Sequence, residues 1–337
     1  MKAPSFAILV HLGENMWGDK KAQKTMHFDK SVWNNIIDKC EKEGLDTIIL
    51  DLGEGVKYPS HPEIGIEGAW TPEEVKAEVA RLKAKGLRII PKMNFSAVHD
   101  AWMGEYERMV STSVYYKVVR DLIFDAYDLF GKPEFIHIGM DEESVHHAKD
   151  PMYSYVVIRR DERLLEDMKI ILDFVRETGA TPFMWGTPLM DYPETAFEYA
   201  GEDVVIGKGM YYEYKRENWT KISDQSQEVQ DFYATRFIEK YGYSIEYVEE
   251  SPSVPKSIQL MKDCAAKGMQ IAPVSSNLFI KTNDRAMVEY YSEIETGKSV
   301  AMYVAAPWVM TRKENEAAIL EEIELLGSAK REFYGEC

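Results

Sequence analysis

At 337 residues, 45% hydrophobic and 12% aromatic, the chain is long enough to bury a large core and too apolar to be disordered throughout. Its 57 acidic against 40 basic residues give a formal net charge of −17, and no basic patch is concentrated along it, so a nucleic-acid backbone is excluded as partner. No apolar run approaches the length of a membrane span, and Phe6-Ala7-Ile8-Leu9-Val10 is too short for a signal-peptide core.

The first predicted strand is FAILVHLG, Phe6 to Gly13, and Val32, Trp33, Ile36, Ile37 and Cys40 follow at helical spacing until Gly44. TIILDLG, Thr47 to Gly53, is the second strand. Its helix opens with Thr71-Pro72-Glu73-Glu74, a capping box with proline at the first helical position, and ends at Gly86. RIIPKMNF, Arg88 to Phe95, is the third, followed by a helix from about Ser113 to Phe130. The fourth begins at Phe135 as FIHIGM and runs into Asp141, Glu142 and Glu143; its helix carries Leu164, Leu165, Met168, Ile171, Leu172 and Val175 before Gly179.

Strand five is TPFMWGT, Thr181 to Thr187, and strand six VVIGKGMYY, Val204 to Tyr212. Residues 213–252 interrupt the rhythm and read as an insertion, suited to a rim over a pocket or to a subunit contact in a homo-oligomer. Val254 to Gly268 supplies the sixth helix. Strand seven is Gln270 to Ser276 with a helix from Asp284 to Gly297, strand eight is VAMYVAAPW, Val300 to Trp308, and a last helix opens with a second capping box, Thr311 to Glu314.

Strict alternation requires parallel strands joined by right-handed crossovers, and eight such units close on themselves. The predicted fold is therefore α/β, a single-domain (β/α)₈ TIM barrel over residues 1–337. An open doubly wound sheet would call for a glycine-rich phosphate loop after the first strand. HLGENMWGD lacks the G-x-G-x-x-G pattern, and no cofactor is expected.

In such a barrel the chemistry belongs at the C-terminal strand ends. An apolar strand finishing in three consecutive carboxylates is costly unless they meet solvent, a partner or a substrate. A helix N-terminus accounts for one or two of them, but not for the adjoining His-x-Gly. The other strand ends offer His11, Glu14, Asp51, Glu54, Lys92, Asn94, His99, Trp102, Trp185, Asp191, Tyr211, Tyr212, Glu213 and Trp308. Carboxylates, amides and aromatic rings suit the hydroxyls and C–H faces of a carbohydrate. His137, with His146 and His147 beside the acids, raises the question of a metal. A zinc barrel would be expected to bring a His-x-His pair on strand one, which His11-Leu12-Gly13 does not supply, so no metal is expected and His137 reads as a rim histidine bonded to a neighbouring loop. Cys40, Cys264 and Cys337 show no Cys-x-x-Cys spacing and fit a reducing, cytoplasmic setting.

His137-Ile138-Gly139-Met140-Asp141-Glu142 resembles the H-x-G-G-D-E signature ending strand four in glycoside hydrolase family 20, the β-N-acetylhexosaminidases. Pro91 to His99 is similar to that family's strand-three P-E-x-D-x-P-G-H segment, with one extra residue before the histidine. Trp185, Tyr211 or Tyr212, and Trp308 stand where it has sugar-binding aromatics. The resemblance implies substrate-assisted hydrolysis with retention. Glu142 would be the general acid, Asp141 would orient the substrate's 2-acetamido group, and Tyr211 or Tyr212 would bond its carbonyl. Trp185 and Trp308 would wall the pocket, with His11, Glu14, Asn94, His99, His137 and Glu213 as further sugar contacts.

The chain departs from the family at three places. The arginine that ends strand one is missing from FAILVHLGENMW, the strand-three acids appear as Lys92 and Asn94, and Val309 and Met310 follow Trp308 where the family has a glutamate. His11 and Glu14 are the expected substitutes for the arginine. Two other functions fit the same residues: a glycosidase on a non-acetamido sugar using Glu213 or Asp191 as nucleophile or base, and a catalytically silent carbohydrate-binding barrel.

Overall fold

Eight parallel strands close into a barrel in chain order: β1 (Ser5–His11), β2 (Thr47–Asp51), β3 (Arg88–Lys92), β4 (Phe135–His137), β5 (Thr181–Trp185), β6 (Val205–Gly209), β7 (Gln270–Ser275) and β8 (Met302–Ala305). The computed structural model describes residues 3–17, 22–143, 157–209, 211, 253–278 and 281–335. The segment 213–252, expected as an insertion, lies outside the described residues.

Both faces of the sheet are buried, which explains why the strands read as continuous apolar runs rather than alternating ones. Side chains still alternate. Ala7 and Leu9 join Ile49, Ile90, Phe183, Val205, Val274 and Val304 in the barrel interior, while Phe6, Ile8 and Val10 pack outward against the helices. The inward period carries on to the C-terminal ends, where His11, Asp51, Lys92 and His137 stand in register on four adjacent strands.

The helices follow their sequence signals. Asp29 caps α1 (Lys30–Glu43) by accepting from the N–H groups of Ser31 and Val32, and Gly44 ends it in the left-handed conformation. The capping box at Thr71 and Glu74 forms on α2 (Pro72–Ala84). Then come α3 (Ser113–Leu129), α4 (Asp161–Thr178), two short helices α5 (Thr187–Asp191) and α6 (Ala196–Ala200), then α7 (Ser253–Ala266), α8 (Asn283–Glu293) and α9 (Glu316–Tyr334). The six apolar residues picked out on α4 are all buried. No helix among the described residues is long and apolar enough to cross a membrane.

Two expectations change. The strands stop short of the apolar runs that announced them, because Gly139 (φ 73°), Met140 (φ 67°) and Trp308 (φ 50°) adopt left-handed backbone and turn the chain out of the sheet. The second capping box does not form: the Thr311 hydroxyl donates to the His11 carbonyl at 2.7 Å, and α9 begins only at Glu316, with no side-chain cap on Asn315. Thr311 instead ties the chain after β8 to the end of β1.

Candidate active site

The three carboxylates after β4 go three different ways. Gly139 makes this possible. A Cβ on it would lie 2.2 Å from Asn94 Oδ1, so only glycine lets the chain after β3 press this close to the chain after β4. Asn94 Nδ2 donates to Asp141 Oδ1 at 3.3 Å, and the Asp141 N–H donates to Ser96 Oγ at 2.8 Å. The Ser96 hydroxyl lies within hydrogen-bond range of both Asn94 Oδ1 and Asp141 Oδ1, and with one proton it serves one of them at a time. Asp141 is thus fixed through Oδ1. We expect Gly139→Ala to cost about 1–3 kcal/mol from the left-handed backbone alone, before the Asn94 contact is counted. Urea denaturation measures this, and an unchanged midpoint would contradict both the left-handed backbone at Gly139 and the close approach of Asn94.

Glu142 turns to His99, whose Nε2 lies 2.6 Å from Oε2. On the other side of the ring Nδ1 is 2.8 Å from the Met16 carbonyl, which can only accept, so Nδ1 carries a proton. Burial works against a charge on His99, but the facing Glu142 carboxylate, its hydrogen bond and nearby Asp141 outweigh it and raise the pKa to about 9. At neutral pH the two form an imidazolium–carboxylate pair. The Glu142 side chain remains 41% exposed and open to the barrel mouth.

Glu143 leaves the mouth altogether. It is buried against Arg159, which also reaches Asp167 at 3.1 Å and donates to the Phe95 carbonyl at 2.7 Å. Trp102, counted among the strand-end residues, is likewise buried, with Nε1 on the Asn94 carbonyl at 2.8 Å. Both act as props beneath the loops carrying Asn94 and Asp141.

The facing wall is aromatic. Trp185 and Trp308 have ring centroids 6.0 Å apart, and Trp308 Nε1 donates to the Tyr211 hydroxyl at 3.1 Å. Trp185 lies over Gly207, where a Cβ would come within 2.8 Å of its ring. Burial pushes the Tyr211 phenol well above its ordinary pKa, so it stays protonated. Asp141, Glu142, Asn94, His99, Tyr211, Trp185 and Trp308 therefore assemble at one end of the barrel. Tyr212, Glu213, His146 and His147 lie outside the described residues.

Two predicted contacts sit deeper than expected. His137 is no rim residue: it is fully buried, packed at 4.4 Å from the Trp185 ring, and its Nδ1 accepts the N–H of Gly139 in its own strand end. Burial holds its pKa well below the ordinary value, so it is neutral. His11 is buried too, with Nδ1 3.3 Å from Asp51, which is bonded in turn to the buried Lys92 ammonium. Burial would raise the Asp51 pKa, but Lys92 and His11 hold it below the usual carboxylate range. The last inward-facing positions of β1 to β4 thus form a fixed polar floor rather than a grip on a ligand. Among the described residues no group of three or more His, Cys, Asp or Glu is placed to hold a metal ion.

Two charged residues at the mouth escaped the sequence reading. Arg312, beyond β8, donates from Nε to Glu14 Oε1 at 2.8 Å. Glu14 follows β1, so this pair bridges the β1–β8 seam. The one sequence signal for Arg312 is its place next to Thr311, whose spacing to Glu314 predicts a helix cap. Lys208 near the end of β6 donates to Thr187 Oγ1 at 3.3 Å and lies within electrostatic reach of Asp191, Asp141 and Glu142. Nothing in its local pattern distinguished it.

No protein-family model and no curated protein matches the sequence. Solved structures do match. The β-N-acetylhexosaminidase from Bacteroides fragilis NCTC 9343 superposes with a TM-score of 0.59 at 12% identity over 96% of this chain, which spans 65% of that one. The GH20 exo-β-N-acetylglucosaminidase from Vibrio harveyi gives 0.57 at 12% identity, covering 98% of this chain and 56% of that one. Dispersin B gives 0.56 at 13% identity, covering 98% and 99%. The chain thus spans less than two thirds of the first two structures and nearly all of the third. The closed eight-stranded barrel with its surrounding helices is the fold that this chain shares with family-20 hexosaminidases.

Proposed function

We propose that the protein is a glycoside hydrolase that releases a terminal β-linked N-acetylhexosamine by substrate-assisted, retaining hydrolysis. The observation that carries this is the separate tethering of two adjacent carboxylates: Asp141 to Asn94 and Ser96, Glu142 to His99. One is fixed to orient a group, the other is joined to a proton source.

Under this reading Asp141 uses Oδ2, which has no partner among the described residues, to accept from the acetamido N–H. That polarises the amide, and its carbonyl oxygen attacks the anomeric carbon as the glycosidic C–O bond breaks. The leaving oxygen takes a proton from Glu142. Glu142 obtains it from His99: substrate displaces water from the exposed carboxylate, an ion pair in a drier site loses its advantage over the neutral pair, and the proton crosses the 2.6 Å from Nε2 to Oε2. In the second half Glu142 accepts a proton from the water that opens the cyclic intermediate. Tyr211, whose oxygen accepts from Trp308, is the phenol donor suited to the acetamido carbonyl, with Tyr212 the alternative. Trp185 and Trp308 stack on the sugar's C–H faces, and Glu14 with Arg312 supplies a paired acceptor and donor for its outer hydroxyls.

Aryl β-glycosides with and without the 2-acetamido group test this. Turnover is expected for the acetamido sugars alone, and Asp141→Asn should lower it by about 10²–10³-fold, the usual cost of removing one preorganised polar contact at a reacting group. Comparable turnover of plain β-hexosides would overturn the proposal in favour of a protein nucleophile. Binding without turnover across a glycan panel would leave a barrel that only binds.

A further inference from the structure

Among the described residues, the cations at and beneath the mouth are matched to carboxylates, with one exception. Lys92 is bonded to Asp51, Arg312 to Glu14, Arg159 to Glu143 and Asp167, and His99 to Glu142. Lys208 is bonded only to the Thr187 hydroxyl, at 3.3 Å, and among the described residues no carboxylate lies within ion-pair distance of it. An ammonium has three donors, and one hydroxyl takes one of them. The side chain is partly exposed on the strand next to Trp185, within electrostatic reach of both Asp141 and Glu142.

Donors are in surplus on this whole side. Trp185 Nε1 and His137 Nε2 are buried with no acceptor among the described residues, and because His137 Nδ1 accepts from Gly139 its proton resides on Nε2. Among the described residues, β4 to β6 thus carry N–H donors in excess of the acceptors that reach them. Burial lowers the Lys208 pKa, and the more distant carboxylates of Asp191, Asp141 and Glu142 oppose the change without reaching ion-pair distance.

Resting on the hydrolase reading above, we infer that Lys208 is a specificity-determining residue that binds an anionic substituent of the glycoside, a sulfate, phosphate or carboxylate. A neutral hydroxyl can fill the ammonium's donors but leaves its charge uncompensated. That matters here, because the transition state of glycoside cleavage is oxocarbenium-like, and an uncompensated cation nearby opposes the positive charge that develops. An anion on the substrate removes that opposition and adds a charge-assisted hydrogen bond. Such a group accepts without donating, which suits the unfilled donors of Lys208 on β6 and the Trp185 indole on β5.

The experiment compares a nitrophenyl N-acetyl-β-hexosaminide with its sugar-sulfated and sugar-phosphorylated forms and with a carboxylate-bearing aglycone, on wild type, Lys208→Met and Lys208→Arg. The quantity read is the ratio of kcat/KM for each anionic substrate to that for the neutral parent. For at least one anion the wild-type ratio is expected to exceed one, to fall by roughly tenfold or more in Lys208→Met, and to recover in part in Lys208→Arg. It should also decline with added salt. Which compound shows the effect tells sulfate from phosphate and sugar from aglycone. Calorimetric titration of the same compounds gives a second readout without turnover. Turnover of the neutral parent with the same ratios in wild type and Lys208→Met keeps the hydrolase and overturns the anion site. Anion-selective binding lost in Lys208→Met, without turnover, keeps the anion site and overturns the hydrolase. Neither binding nor turnover of any compound overturns both.

Discussion

Replacing Glu142 by glutamine is expected to lower kcat/KM on a glycoside with an alkyl or sugar leaving group by about 10²–10⁴-fold, the range that a positioned general acid contributes. The loss should be smaller on a nitrophenyl glycoside, whose leaving oxygen needs less protonation, and substrate binding should change little. Equal losses on both aglycones would mean that Glu142 does not deliver the proton. The His99 pair makes a further demand. Its imidazole is raised to about 9 because the Glu142 carboxylate outweighs the burial that opposes its charge. The sign follows from the direction: a histidine raised on folding adds stability that is full below its unfolded value and lost as pH rises through the folded one. Under the proposed mechanism the same proton serves the reaction. Below about pH 9 the pair holds it, and above that it is gone, so kcat/KM should fall through this range. In His99→Asn the reservoir is removed and the fall should move toward the ordinary carboxyl range. An alkaline limb that stays in place in that variant would separate His99 from the proton transfer.

Much of this was legible because local and tertiary preferences agree over most of the chain. Asp29, Gly44 and the Thr71–Glu74 box predict helix ends that the fold keeps. Where they disagree, the reason is a tertiary partner. Thr311 to Glu314 has the letters of a capping box, but the His11 carbonyl takes the hydroxyl first. Ile138 and Met140 prolong an apolar run because they pack behind the barrel, not because the sheet continues, and left-handed backbone at Met140 and Trp308 has no reliable letter code. The same overrun misplaced His11 and His137. Ending the strands where the sheet ends puts both on inward-facing positions, in the polar floor with Asp51 and Lys92. The mouth residues Asp141, Glu142, Asn94, His99, Trp185, Tyr211 and Trp308 are legible because each ends its strand or lies in the segment directly after it. Glu14 and Arg312 are 298 positions apart, and no local pattern joins them.

Arg159→Met should be among the most destabilising single substitutions, at about 3–5 kcal/mol, because it breaks a buried charge network from its centre. The guanidinium is almost wholly enclosed between Glu143 and Asp167, and these carboxylates keep it charged although burial works against it. Asp167 is held in addition by the hydroxyls of Ser111, at 2.7 Å, and Tyr116. Removing the arginine leaves two buried acids facing an apolar side chain, which costs more than the pair contributes while intact. If that is the origin of the loss, combining Arg159→Met with Glu143→Gln and Asp167→Asn should recover part of it, since neutral amides no longer require a counter-charge. No recovery in the triple variant, or a single variant within about 1 kcal/mol of wild type in urea denaturation, would contradict the account. Activity should fall beyond what instability explains. Arg159 holds the Phe95 carbonyl, the Phe95 N–H is bonded to the Ile138 carbonyl at 3.1 Å, and Phe95 lies between Asn94 and Ser96, which fix Asp141. Loosening that link lets the Asp141 carboxylate drift while Glu142 and the aromatic wall stay in place. The fall should therefore appear in kcat more than in KM at temperatures where the variant is still folded.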